Sequence, residues 1–326
     1  MSPFQPLTGA LSGGAAPLTA LLLPLVGTVF IGLFRNRPNL REGATLATGV
    51  ALFGVVLSLW PEVMAGGRPQ ITLAVPIPGI PLLLEVEPLG YLFALVASSL
   101  WIVTSLYAIG YMRGHHEEHQ TRFYLFFAVA IAATMGVAFS GNLFTLFLFY
   151  EVLTLCTFPL VTHHQTKEAR KAGRVYLGIL LSTSVGLQLL AIIWTYSLAG
   201  TLDFRAGGIL DGHIGAGTVP ILLALFVFGV GKAAVMPFHR WLPAAMVAPT
   251  PVSALLHAVA VVKAGVFTIL KVSVFIFGPA LISETGAADL LLWVAAATII
   301  LGSLVAFTKD NLKARLAYST ISQLSY

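Results

Sequence analysis

Long apolar runs follow one another along the chain, and short segments rich in polar residues, proline or glycine separate them. Each run is about 20 residues long, the length that a helix needs to cross a hydrocarbon core of about 30 Å. The pattern predicts membrane spans at 16–34, 43–61, 88–112, 123–140, 142–161, 173–199, 217–236, 250–277 and 289–308. A further helix begins near residue 314. We therefore predict an all-α polytopic membrane protein with about nine full transmembrane helices and a partial tenth.

One segment between the second and third spans does not fit a helix. Residues 66–88 contain many prolines and glycines, together with the runs ITLAV and LLLEV. Such runs, bounded by turn-forming residues, are typical of a short extended hairpin. We expect this hairpin on the outer membrane surface.

The composition supports a membrane protein and excludes several other classes. The chain is 57% hydrophobic and 10% charged, whereas a soluble domain carries about 25% charged residues. A single cysteine allows no disulfide within the chain and no cysteine-based metal or haem site. No phosphate-binding glycine loop or dinucleotide fingerprint is present. We expect no cofactor, no nucleic-acid partner and no catalytic site of its own.

The loop at 113–122 contains His115-x-x-Glu118-His119, which matches a metalloprotease pattern. That chemistry needs a buried helix and a third ligand, so we do not expect a metal site in a charged loop between two spans. We interpret a second polar segment, 162–174, as a solvated basic loop.

The basic residues predict an orientation. With the N-terminus outside, 13 of the 18 Lys and Arg residues fall in inside segments. These are Arg35, Arg37, Arg41, Arg113, Arg122, Lys167, Arg170, Lys171, Arg174, Arg240, Lys309, Lys313 and Arg315. Only Arg68 and Arg205 fall outside. An excess of Lys and Arg marks the cytoplasmic side, so we predict a multi-pass protein of a bacterial inner membrane with its N-terminus outside.

Five ionisable residues lie inside the apolar runs: Glu151, Lys232, His257, Lys263 and Lys271. A charged side chain at mid-span costs about 2.5–3.5 kcal/mol on insertion scales and usually marks an ion or proton pathway. Three structural, non-functional interpretations stay open. They are a neutral glutamate at 151, a lysine at 232 that extends to the membrane surface, and a structural histidine at 257. For Lys271, surface extension and function are equally plausible interpretations.

The surroundings of Lys232 predict a broken helix. Gly229 and Gly231 precede it, and Pro237 and Pro243 follow it. Proline removes a helix hydrogen bond, and broken helices mark binding sites in transporters. Burial disfavours the charged form of a lysine and a nearby carboxylate favours it, so a Glu–Lys pair can act as a two-state element.

The sequence resembles a known family over nearly all of the chain from about residue 80 to the end, and four stretches carry the resemblance. They are GKAAVMPFHRWLPAAMVAPTPVSALLHAVAVVKAGVF (231–267), LYAIGYM (106–112), NLFTLFLFYEVLTL (142–155) and KDNLKARLAYSTISQLSY (309–326). They are similar to the antiporter-type proton-translocating subunits of respiratory complex I (NADH:quinone oxidoreductase) and of Mrp Na⁺/H⁺ antiporters. The VKAGV segment favours the Mrp branch.

The resemblance implies roles for four of these residues. Glu151 would pair electrostatically with Lys232 on the broken seventh helix, and His257 and Lys263 would continue a hydrated polar axis. It also implies two inverted five-helix repeats, spans 4–8 and 9–13. We accordingly divide the chain into N-terminal spans (1–112), a proton-translocating repeat (113–277) and the start of a second repeat (278–326). We expect the remainder of that second repeat to lie outside this sequence, in a longer or split subunit.

The resulting hypothesis is proton translocation, with or without coupled Na⁺, as a subunit of an Mrp-type antiporter or a complex I-like pump. The expected partners are other membrane subunits of such an assembly. The alternative is a non-pumping structural subunit that docks a redox or transport module. The residues leave open which cation is exchanged.

Overall fold

The computed structural model describes residues 14–326, and most of them are helical. The α-helices are α1 (Ala15–Leu33), α2 (Pro38–Ser58), α3 (Trp60–Met64), α4 (Pro88–Gly114), α5 (Gln120–Ala138), α6 (Leu143–Val161), α7 (Lys167–Thr183), α8 (Leu189–Ala199), α9 (Val219–Gly229), α10 (Trp241–Ala244), α11 (Thr250–Ala254), α12 (Val261–Val272), α13 (Pro279–Glu284), α14 (Ala287–Phe307) and α15 (Leu312–Leu324). The strands β1 (Gln70–Ile77) and β2 (Ile80–Glu85) form an antiparallel hairpin.

The predicted fold class is confirmed. Among the described residues, eight helical segments are long and apolar enough to cross a membrane, and α9 is a shorter apolar helix. Together they account for the nine predicted spans, and α15 lies where the tenth was expected. The hairpin predicted within 66–88 is also present. The inverted repeat, the three-part division and the orientation stay predictions.

Two helices begin earlier than predicted. Helix α2 begins at Pro38, five residues before the predicted start of its span, because proline is favoured in the first helical turn. Helix α7 begins at Lys167, where the Thr166 hydroxyl accepts a hydrogen bond from the Ala169 N–H at 3.1 Å. The interpretation of 162–174 as a solvated loop is therefore wrong for its second half. Within the remaining loop, His163 is buried.

The chain divides into two compact units between Phe149 and Tyr150. In the first unit, α1 packs against α2 and α5, and α2 packs against α4. The hairpin is attached to the beginning of α6: the Asn142 side-chain amide donates to Pro81 O at 2.8 Å, and the Leu83 N–H donates to Thr145 Oγ1 at 3.0 Å. These bonds satisfy backbone groups that the hairpin would otherwise leave unpaired.

In the second unit, several helices are interrupted. Short π-helical segments at Ser184–Gln188, Leu255–Val259 and Ser273–Phe277 lie between or after α-helical stretches. Helix α9 packs closely on the first of them, because a Cβ at Gly229 would lie 2.5 Å from the backbone nitrogen of Gln188. Irregular helix geometry of this kind is frequent at functional sites, and these segments adjoin α9 or α12, the helices next to the Lys232 turn.

Candidate functional site

The helix that carries Lys232 is broken, as predicted, but the break begins earlier than the prolines. Helix α9 ends at Gly229, and a single 3₁₀ turn, Gly231–Ala233, follows. Ala234 then adopts a left-handed conformation with φ of 56°. Pro237 lies in the irregular segment that comes next, and Pro243 lies inside the short helix α10, where a missing N–H costs nothing in the first turn. Pro243 therefore does not cause the break.

Lys232 is completely buried. Its ammonium nitrogen donates to the backbone carbonyl of Tyr150 at 2.7 Å and to the hydroxyl of Thr154 at 2.5 Å. The same nitrogen lies 3.1 Å from the centroid of the Tyr150 ring. The Tyr150 hydroxyl accepts a hydrogen bond from the Lys232 backbone N–H at 3.0 Å. The interpretation of Lys232 as a lysine that extends to the surface is therefore wrong.

The groups that contact the Lys232 side chain favour its positively charged form. A lysine ammonium has three donors and no acceptor, and it meets a carbonyl, a hydroxyl and the face of an aromatic ring. Each of these groups interacts favourably with positive charge. All of them come from one turn of α6, the turn that also contains Glu151.

Glu151 lies within that turn, one residue after Tyr150. Both of its carboxylate oxygens are buried, and neither makes a hydrogen bond with any residue that the structure describes. Within the described range, no ion pair of 4 Å or less joins it to Lys232. A buried carboxylate without partners is costly when it is charged. The structure thus brings the Lys232 ammonium to the turn of α6 that contains Glu151, but no direct bond joins the two groups.

The 3₁₀ turn is held in place on several sides. The Trp241 indole N–H donates to Gly231 O at 2.8 Å, and the Trp241 ring packs edge-on against Tyr176. Helix α12 approaches so closely that a Cβ at Gly265 would overlap the backbone of Ala233. A glycine at 265 is therefore needed for this packing, and the turn around Lys232 is fixed rather than loosely placed.

The other two predicted residues lie apart from this cluster. His257 lies in the second π-helical segment, half-buried, with its Nε2 3.2 Å from Met246 Sδ. Its Nδ1 is buried and makes no hydrogen bond with a residue in the range 14–326. Lys263 on α12 is exposed. The structure therefore shows no hydrogen bond from either residue to Lys232, and their place in a polar axis stays a prediction.

Lys271 is completely buried, with its nitrogen 4.4 Å from the centroid of Phe204 and 5.3 Å from that of Phe267. Sequence reasoning did not identify Tyr150 or Thr154 as partners of Lys232. Both stand in an apolar run, where an aromatic ring and a threonine are typical core residues. Their spacing of four residues, which places them on one face of a helix beside Glu151, is the signal that could have found them.

Fold and site together define a class: a polytopic helical membrane protein in which a buried lysine lies at a helix break beside a buried carboxylate. The sequence profile of one family, described as NADH:quinone oxidoreductase/Mrp antiporter, transmembrane, matches residues 140–326, which is more than half of the chain. The chain belongs to this family.

Relatives come from both branches of the family. The chain is 33% identical over 315 residues to a protein of Rhizobium meliloti described as part of a probable K(+)/H(+) antiporter, and it is 30% identical over 329 residues to NAD(P)H-quinone oxidoreductase chain 5 of Picosynechococcus. The matches cover 93% and 94% of this chain but only 30% and 48% of those relatives. The chain thus spans less than half of the length of each of these two relatives.

A solved structure shows the same fold. The Mrp complex from Dietzia sp. DQ12-45-1b contains a chain that superposes with a TM-score of 0.81 at 26% identity. The match covers 97% of this chain and 33% of that one. A membrane protein of the antiporter family is therefore established, and its partners and its transported ion are matters of proposal.

Proposed function

We propose that this chain forms a proton-translocating part of a membrane subunit, in which Glu151 controls the proton on Lys232. The observation that carries the proposal is the turn of α6 at 150–154. It binds the buried Lys232 ammonium through Tyr150 and Thr154 and contains a carboxylate whose buried oxygens bond to no described residue.

The physical coupling is electrostatic. Two opposite unit charges separated by about 4–8 Å interact by on the order of 2–4 kcal/mol at the effective dielectric constant of a protein. When Glu151 is ionised, it favours the ammonium form of Lys232. When Glu151 takes up a proton, that attraction is lost and Lys232 gives up its proton more readily.

The absence of a direct Glu151–Lys232 bond suits this role. A direct ion pair would stabilise the charged forms of both Glu151 and Lys232. The lysine could then lose its proton only if the ion pair were broken. In the described structure, the ammonium is instead held by neutral acceptors, so a change at Glu151 alters its charge state without removing its hydrogen-bond partners. His257 and Lys263 then continue the proposed proton pathway.

Relatives in the antiporter branch support ion movement as the activity. The Rhizobium meliloti relative is described as a subunit of a probable K(+)/H(+) antiporter. The solved relative belongs to an Mrp complex. We propose that the partners are other membrane subunits of such an assembly and that protons, with or without Na⁺, are the cargo.

The test is ion transport into membrane vesicles by the assembled complex. Glu151→Gln and Lys232→Ala are compared with wild type, after each variant has been shown to assemble. Loss of proton transport in both is the expected result. Glu168→Gln and Lys171→Ala, which change the same two residue types at exposed positions, serve as controls and should transport normally.

If Glu151→Gln and Lys232→Ala assemble and pump like wild type, the proposal fails. The chain would then be a scaffold that docks another module. Replacing Na⁺ with K⁺ or choline in the same vesicles would show whether a second cation is exchanged.

A further inference from the structure

A basic cavity lies away from Lys232, where α6 ends and α7 begins. Its volume is about 790 Å³. It is lined by Phe158, Thr162, Gln165, Lys167, Arg170 and Arg174. Proton translocation, as proposed above, makes no use of this cavity.

The floor of the cavity is formed by a close approach of the two helices. A Cβ at Gly173 of α7 would overlap Thr162 Cγ2 and would stand 2.8 Å from a ring carbon of Phe158. Only glycine permits this contact. This contact holds the basic face of α7 beside the aromatic ring at the end of α6. The shape of the cavity is therefore set by helix packing.

The cavity carries uncompensated positive charge. Lys167, Arg170 and Arg174 follow at spacings of three and four residues, which places them on one face of α7. Their side-chain nitrogens make no ion pair with any residue in the described range. Glu168 is the acidic residue of the first turn of α7. Clustered guanidinium groups in a concave site favour a phosphate group, which they can bind in bidentate fashion.

An apolar track leads from the cavity along α6. Leu155 lies three residues before Phe158 and Val152 three before Leu155, and these two side chains are 55% and 43% exposed. They belong to a helix that is apolar and long enough to cross a membrane. A ligand that contacts both the basic cavity and this apolar track needs an anionic head group and a hydrocarbon chain.

We propose that this cavity binds the head group of an anionic phospholipid. Arg170 and Arg174 hold the phosphodiester, and an acyl chain lies along Leu155 and Val152. The positive-inside pattern predicts this end of both helices to be cytoplasmic, where anionic lipids attract basic residues. The apolar track favours a lipid over free phosphate.

The test uses the full chain in detergent and native mass spectrometry with phosphatidylglycerol and phosphatidylcholine of identical acyl chains. The wild type should retain phosphatidylglycerol in preference to phosphatidylcholine. Arg170→Gln combined with Arg174→Gln should weaken phosphatidylglycerol binding about 30-fold, as expected for two basic residues at a bilayer surface. The control, Arg35→Gln with Arg37→Gln, removes two exposed charges on the same predicted side and should bind normally.

A second variant distinguishes lipid binding in the cavity from non-specific attraction of the lipid to basic surface residues. Gln165→Trp, at an exposed position of the cavity lining, fills the cavity without changing its charge and should also release the lipid. Retention of phosphatidylglycerol by this variant would overturn the proposal, and so would equal losses in the two double variants. Sodium phosphate that binds alone and displaces the lipid would identify a free-anion site instead. Absence of the lipid from the assembled complex would also count against the proposal, because a neighbouring protein would then cover the cavity.

Discussion

Two buried acidic groups in this chain are arranged in opposite ways. Glu42, in the first unit, is paired with the guanidinium groups of Arg41 and Arg113. Arg41 further donates to Gln120 at 2.8 Å and to Thr121 at 3.1 Å. Glu151, in the second unit, has no such partner among the described residues. The Glu42 carboxylate is thus paired directly with two basic side chains, whereas the Glu151 carboxylate is not.

The comparison shows what each cluster can do. A carboxylate bonded to two guanidinium groups joins α2 to α4 in one arrangement. A carboxylate without a partner costs stability when charged, and its protonation can change without breaking any bond. We infer that the Glu42 cluster stabilises the fold and that the Glu151–Lys232 cluster is available for proton transfer.

The largest expected effect is on stability at Glu42. Glu42→Gln leaves Arg41, which is 5% exposed, without its countercharge. Breaking a buried pair in this way costs about 3–5 kcal/mol. Glu151→Gln removes no hydrogen bond and should leave stability unchanged or slightly raised. The free energy of unfolding of each purified variant is measured in mixed detergent micelles. Equal destabilisation by the two substitutions would contradict the inference that only the Glu42 cluster stabilises the fold.

The next effect concerns the hydroxyl that binds Lys232. Thr154→Val keeps the shape of the side chain and removes an acceptor at 2.5 Å from the ammonium. Hydrogen bonds to charged groups are worth about 1.5–3 kcal/mol, so proton transport should fall by about tenfold or more.

Thr154→Ser keeps the hydroxyl and should retain most of the transport. Vesicle assays of the two variants compare them directly. Normal transport by Thr154→Val would mean that the hydroxyl does not take part in holding the proton-bearing group.

Much of this arrangement could be predicted from sequence. The nine spans and the helix after them, the hairpin, the broken helix and the mid-span ionisable residues all follow from hydrophobic runs, turn-forming residues and rare charges within apolar segments. The partners of Lys232 could not be predicted in the same way. The ammonium contacts the backbone carbonyl and ring of Tyr150 and the hydroxyl of Thr154, and a backbone carbonyl has no sequence signal. The exposure of Lys263 also depends on packing between helices, which local periodicity does not fix.

A third prediction tests the helix packing that holds the 3₁₀ turn. Gly265→Ala places a Cβ on the backbone of Ala233. Overpacking of this kind costs about 1–3 kcal/mol, and the displaced turn would move Lys232 relative to α6. Both thermal stability and proton transport should fall.

The matched control is Gly178→Ala. Gly178 lies in α7, and a Cβ there meets nothing within 4 Å. Alanine is the better helix former by about 1 kcal/mol, so this variant should be neutral or slightly more stable and should transport normally. A loss of transport in both variants would indicate that helix propensity, and not the contact with Ala233, is responsible.

The smallest effect is expected at Arg113, the outer partner of Glu42. Its side chain is 45% exposed, whereas that of Arg41 is 5% exposed. Solvent screens an exposed ion pair, so Arg113→Gln should cost far less stability than Glu42→Gln. Because salt weakens exposed pairs more than buried ones, the cost of Arg113→Gln should shrink between about 0.05 and 0.5 M NaCl, and that of Glu42→Gln should persist. Unfolding measured at both salt concentrations decides this. If Arg113→Gln proves as costly as Glu42→Gln and insensitive to salt, the cluster depends on all three charges equally, and its stabilising role is not confined to the buried pair.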